Sequence, residues 1–145
     1  QRALFEFQLS LAKTYALPLV IHQRRALDFV FSYAAALKAL PAVVFHAWTG
    51  PLPEAQALLA RGIRAYFSFG ASILNGNRKA ATSCAGIPAS AILLETDAPY
   101  QAPRGLSPCV PAHIDLILQG AATLREVDAQ ALCERVETNF RSVFG

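Results

Sequence analysis

The chain has 145 residues, 54% of them hydrophobic and 16% charged, an apolar content that belongs to a folded domain with a large interior and excludes a disordered or fibrous polypeptide. The net charge of +3 and pI near 9.0 are mildly basic, yet the cations are scattered, as at Arg24, Arg25, Arg61, Arg64, Arg78 and Lys79, which is compatible with a phosphate-bearing substrate without demonstrating one. Cys84, Cys109 and Cys133 are odd in number and far apart, so no disulfide framework or zinc knuckle is expected and a reducing cytoplasm is the default setting.

No stretch reaches the roughly 18 apolar residues of a membrane span, and no basic-then-apolar signal pattern opens the chain. A start at Gln1 points to a fragment, a processed chain or a partly observed one.

In chain order, helix and strand alternate. Residues 2 to 16 place Phe5, Leu9, Ala12 and Ala16 on one stripe with Leu4, Leu11 and Tyr15 beside it, which predicts a helix with a wide buried face, broken by Leu17-Pro18. Leu19-Val20-Ile21-His22 reads as a strand, and Ala26, Leu27, Val30, Phe31, Ala34 and Leu37 follow at helical spacing. The unit then repeats: Ala42-Val43-Val44-Phe45-His46 as strand, Ala47-Trp48-Thr49-Gly50-Pro51 as loop, a helix through Glu54, Leu58 and Leu59, and Gly62 as its stop. A third run, Ala65-Tyr66-Phe67-Ser68-Phe69, ends at Gly70, and a polar stretch around Asn75-Gly76-Asn77-Arg78 precedes a short helix. The fourth, Ala91-Ile92-Leu93-Leu94, stops in Glu95-Thr96-Asp97-Ala98-Pro99. A loop with Pro103, Pro108 and Pro111 leads to two helices, one with Ile114, Ile117, Leu118, Ala121 and Ala122 as its stripe, the other with Leu132, Val136, Phe140 and Phe144.

Rim positions at His22, His46, Phe69 and Asp97 recur at the cadence of a (βα)8 barrel, which allots roughly 30 residues to each unit, and also at that of a doubly wound sheet. The expected architecture is α/β: about four parallel strands with flanking helices, one unit over residues 1–145, forming part of a TIM-type barrel whose N-terminal strands are missing. Four strands do not close a barrel. Half of one exposes two strand edges and an apolar inner face, so a missing N-terminal portion or a second copy is expected to complete it.

His22 and His46 each end an apolar strand, and Asp97 follows the fourth. Strand ends of a barrel converge on one rim, where neutral imidazoles and a carboxylate from different strands suit a divalent ion. Such an ion supplies hydroxide at neutral pH and polarises the bond under attack. A regular strand puts Glu95 and Asp97 on the face of Leu93, with Thr96 toward the helices. His113, in the late loop, reads as a surface or capping residue.

The phrases Ile21-His22-Gln23-Arg24, His46-Ala47-Trp48-Thr49-Gly50, Ser68-Phe69-Gly70 and Glu95-Thr96-Asp97-Ala98-Pro99, in this order and spacing, resemble the TatD family of metal-dependent deoxyribonucleases. Asn139-Phe140 and Phe144-Gly145 resemble that family's closing helix, and the likeness spans this whole chain but only the C-terminal half or more of a family member.

The resemblance implies a distorted amidohydrolase-type barrel, two divalent ions (Mg, Mn or Zn) and phosphodiester hydrolysis of DNA as a 3′–5′ exonuclease. It implies His22 and His46 as ligands of one ion with a glutamate, and Asp97 joining an HxH pair at the other ion and taking a proton from the attacking water. The HxH pair and the glutamate are expected upstream of Gln1. Two departures stand out: Ala47, Trp48 and Thr49 replace the middle of the family's usual HCFSG, and no clear match appears near Pro108 for an asparagine common after ETDAP.

Four residues carry paired readings. Arg24 is either a phosphate contact or a solvated residue of a first helical turn. Trp48 either stacks on a base or packs. Glu95 orients a ligand or partners a buried cation, and Ser68 is a rim hydrogen-bonder or a small interior residue. The rival functions are another amidohydrolase-type reaction on an amide, lactone or small phosphoester, and an inactive fragment or noncatalytic binding module.

Overall fold

Branched and aromatic residues in four short runs form the strands of one parallel sheet, β1 (Leu19–His22), β2 (Val43–His46), β3 (Ala65–Phe69) and β4 (Ile92–Leu94), in the spatial order β1-β2-β3-β4. The computed structural model describes residues 1–145. Around the strands lie helices α1 (Arg2–Thr14), α2 (Leu27–Ser32), α3 (Ala34–Lys38), α4 (Leu52–Ala60), α5 (Arg78–Gly86), α6 (Ile114–Arg125) and α7 (Ala129–Phe144). Parallel neighbours joined through helices need crossover connections, which is what the alternating sequence supplies.

The register pairs Ile21 with Phe45 and Phe45 with Phe67, so that one face of the sheet carries Ile21, Val43, Phe45, Phe67, Phe69 and Ile92 into a single cluster of 25 buried residues, to which all seven helices contribute. Alternation sends Val20, His22, Val44, His46, Tyr66, Ser68 and Leu93 to the other, inner face. There Val44, Tyr66 and Leu93 form a small second cluster with Ala42 and with Val143 of α7. Strands β1 and β4 are the sheet edges, and Val20 on the inner face is 53% exposed.

Three helices differ from the periodicity that predicts them. The helix expected through Ala26 to Leu37 breaks at Tyr33, whose backbone (φ −104°, ψ 13°) ends α2 and starts α3. Its ring packs edge-on against Phe5, and its hydroxyl donates to Glu6, which raises the phenol's pKa. In α1 the stripe of Phe5, Leu9 and Ala12 faces the core, but Leu4, Phe7 and Leu11 are exposed, and the helix ends at Thr14, leaving Tyr15 and the left-handed Ala16, expected on the stripe, exposed beyond it. In α7 the inward residues are Leu132, Val136, Asn139 and Val143, whereas Phe140 and Phe144 stack on each other at the surface.

Short polar devices tie the elements together. Asn77 caps α5 by accepting from the Ala80 N–H, and Gly62, at φ +76°, takes the left-handed turn after α4. All three cysteines are free, and burial pushes the Cys84 thiol up to about 11. The buried Asn139 donates its amide to the carbonyls of Ala89 and Ile92, fastening α7 to the start of β4. Substituting Asn139→Leu leaves both carbonyls without that donor, and about 1–3 kcal/mol of stability should be lost. Urea unfolding followed by circular dichroism checks this; an unchanged midpoint contradicts it.

Candidate active site

His22 and His46 are register partners at the carboxyl ends of β1 and β2, so their side chains emerge on the same face with ring centroids 5.4 Å apart. Strand β4 ends at Leu94, but the Glu95 N–H still donates to the Phe69 carbonyl, which keeps the Glu95 side chain on the inner face. There Glu95 Oε2 lies 2.9 Å from His46 Nδ1, and Oε1 accepts from the Ala47 N–H at 3.0 Å. An ionised carboxylate only accepts, so Nδ1 carries the proton and Nε2 is the nitrogen turned to the rim.

Asp97 reaches the same place by a different route from regular alternation. Its backbone is left-handed (φ 56°), and this turn brings Oδ1 to 3.4 Å from His46 Nε2. Gln101, itself left-handed at φ 51°, donates its amide to Asp97 Oδ2. One imidazole is thus flanked by two carboxylates, all three side chains half-buried. With Nδ1–H directed at Glu95, an unprotonated Nε2 opposite the Asp97 carboxylate sets lone pair against lone pair. A second ring proton, or positive charge held at the rim beside the two groups, relieves that repulsion, and imidazole and carboxylate are both donors that suit divalent ions. No three of the chain's His, Cys, Asp or Glu side chains converge closely enough to hold an ion by themselves.

The other expected site residues are spread around this cluster. Ser68 is buried at the inner-face position of β3 between His46 and Leu93, and its carbonyl accepts from the Trp48 N–H. Phe69, expected at the rim, instead turns its fully buried ring to the helices beside Phe67. Arg24 is exposed in the loop after β1. His113 accepts from the Val110 N–H through Nδ1, a local turn contact away from the cluster. The Thr96 hydroxyl accepts from the Ala98 N–H.

Trp48 does not offer a face to a base. It is 1% exposed, edge-on to Phe45 and Phe67 at 5.7 and 4.9 Å, and its indole N–H is buried without an acceptor. The ring explains Gly50, because a Cβ there would sit 2.5 Å from the indole.

Two anchors have no motif to announce them. Asn75 binds the proline-rich loop from both ends of its amide, donating to the Ala102 carbonyl and accepting from the Arg104 N–H, and Ser83 donates to the Gly50 carbonyl to hold the loop after β2. Asn75 has the polar stretch before α5 as its only sequence signal, and Ser83, inside α5, has none.

A parallel βα sheet with a histidine and carboxylate cluster at its carboxyl rim is the framework of a barrel-type protein whose chemistry sits at the strand ends. The sequence model described as "TatD related DNase" matches residues 1–145, and the chain belongs to the TatD family. It is 35% identical to the "3′-5′ ssDNA/RNA exonuclease TatD" of Escherichia fergusonii and 34% identical to that of Escherichia coli K12, in each case over 100% of this chain and 58% of the relative. Among solved structures, YJJV, a TatD homologue from Escherichia coli K12, superposes with a TM-score of 0.90 at 27% identity, covering 99% of this chain and 56% of that one. A TatD-family hydrolase from Entamoeba histolytica shares the fold at TM-score 0.84 and 15% identity. The chain thus spans rather more than half the length of the relatives it matches.

Trp48 is the chain's single tryptophan, which makes its environment directly readable. Its emission should be blue-shifted and unchanged by added single-stranded DNA, and Gly50→Ala should lower stability by about 1–3 kcal/mol through overpacking. DNA quenching of the wild-type emission would show instead that the ring is accessible.

Proposed function

We propose that this chain supplies the histidine and aspartate part of the active site of a metal-dependent nuclease of the TatD type, acting 3′–5′ on single-stranded DNA or RNA. The observation that carries the reading is the pairing of His46 with Glu95 at Nδ1 and with Asp97 at Nε2, beside His22. The names of the relatives favour a nucleic acid over a small amide or lactone as substrate.

In this reading His22 and His46 are ligands of one divalent ion, and Asp97 is a ligand of the other. Mg, Mn and Zn are the candidate metals. When bound, the ions supply hydroxide at neutral pH and polarise the phosphodiester. The protein's own residues do the rest. Glu95 fixes the tautomer and the angle of His46, the outer arrangement that makes an imidazole a better ligand. Gln101 holds Asp97 Oδ2, leaving Oδ1 as the oxygen that takes the proton of the attacking water. Arg24, exposed beside His22, pairs with substrate phosphate.

The remaining ligands, and the strands that close the sheet, come from the upstream segment of the longer family members or from a second copy of this chain. The open edges of β1 and β4, the exposed Val20 and the uncovered outer stripe of α1 support this.

Release of mononucleotides from the 3′ end of a single-stranded oligonucleotide with Mg²⁺ or Mn²⁺ tests the reading. Asp97→Asn should lower the rate by about 10²–10⁴-fold, the range ascribed to a lost proton acceptor, and His46→Ala should lower it through weakened ion binding, while circular dichroism stays unchanged in both. Undiminished hydrolysis in both folded variants would overturn it.

A further inference from the structure

Two depressions in the surface beside His22 share a wall. One, of about 820 Å³, runs from Arg2 and Phe5 past His22 to Arg24 and Arg25. The other, of about 490 Å³, continues from Gln23, Arg24 and Arg25 to Thr49, Glu54 and Lys79. Gln23, Arg24, Arg25 and Asp28 belong to both, so the surface offers one continuous path from His22 to Lys79. The segments that form its far end are the loops after β1 and β2 and the first turn of α5, all of them C-terminal to strands and therefore on the rim side of the sheet.

The charges along this path are unequal in their freedom. Asp28 and Glu54 stand in the first turns of α2 and α4, where the positive helix end offsets a carboxylate. Arg24, Arg25 and Lys79 have no carboxylate within salt-bridge distance. Arg25 is also held at φ 55°, a left-handed backbone that a non-glycine side chain adopts at a cost and that is enriched at binding sites. The stretch from Gln23 to Lys79 is lined almost wholly by polar residues, and free cations there, opening on a candidate site for phosphodiester hydrolysis, match a row of phosphates better than any other ligand class.

We propose that Arg24, Arg25 and Lys79 form a phosphate track that holds the backbone of single-stranded nucleic acid as it leaves the rim at His22. Arg25 and Lys79 contact phosphates remote from the bond being cut, so they serve binding and not the chemical step. The inference rests on the nucleic-acid reading above.

The test is the salt dependence of binding of a fluorescent single-stranded DNA 12-mer, followed by anisotropy in EDTA so that no hydrolysis intervenes. Each phosphate contact on a single strand contributes about 0.7 to the slope of log K against log salt. Arg25→Asn, which removes the charge and tolerates the left-handed backbone, and Lys79→Gln should each reduce the slope by about 0.7. Arg25→Lys should keep it, and so should Arg64→Ala, an exposed cation just before the amino end of β3. Binding by the wild type with the same slope in Arg25→Asn and Lys79→Gln would refute the track and leave the nucleic-acid reading standing. No binding by the wild type would remove both.

Discussion

Glu95 joins two strands that are not neighbours. Its carboxylate leaves the end of β4, crosses the line of β3 and holds both the His46 ring and the Ala47 N–H at the end of β2. The crossing passes over Ser68, the small inner-face residue near the end of β3. Hydrogen bonds to a charged group contribute about 1.5–3 kcal/mol each. Here they set which imidazole nitrogen faces the rim, and the donor chemistry of the site follows from that choice.

The surrounding loops keep the carboxyl ends of the strands in that arrangement. Ala47, Asp97 and Gln101 all have left-handed backbones, a concentration of positive φ at the places where the chain leaves β2 and β4. Beneath them, Trp48 fills the space between Phe45 and Phe67, edge-to-face contacts worth about 0.5–1.5 kcal/mol each beyond burial. Ser83 holds the loop that carries Trp48, and Asn75 holds the loop that carries Gln101. A rigid apolar floor and two side-chain anchors thus support a polar rim, which is how a few side chains far apart in sequence come to stay together.

Local pattern made much of this legible. The four strands, their parallel order, the inward turn of Glu95 and the irregular proline-rich loop follow from apolar runs that end in polar residues. Periodicity was less informative where a helix carries two apolar stripes. In α1 and α7 the spacing of Leu4, Leu11, Phe140 and Phe144 is as helical as that of the buried residues, and only tertiary packing decides which stripe is covered. For Trp48 the loop position left stacking and packing both open, and the cavity built by β2 and β3 decides for packing. Asp97 stands beside His46 through a backbone turn that alternation along a strand does not foresee.

The account rests on the orientation of one ring, and long-range ¹H–¹⁵N correlation spectra of His46 read it directly. In the neutral ring, Nδ1 should carry the proton and Nε2 should be bare, and addition of Zn²⁺ should move the Nε2 resonance while the Nδ1 proton stays. A ring protonated at Nε2 with Nδ1 responding to the ion would contradict the assignment of Glu95 as its holder.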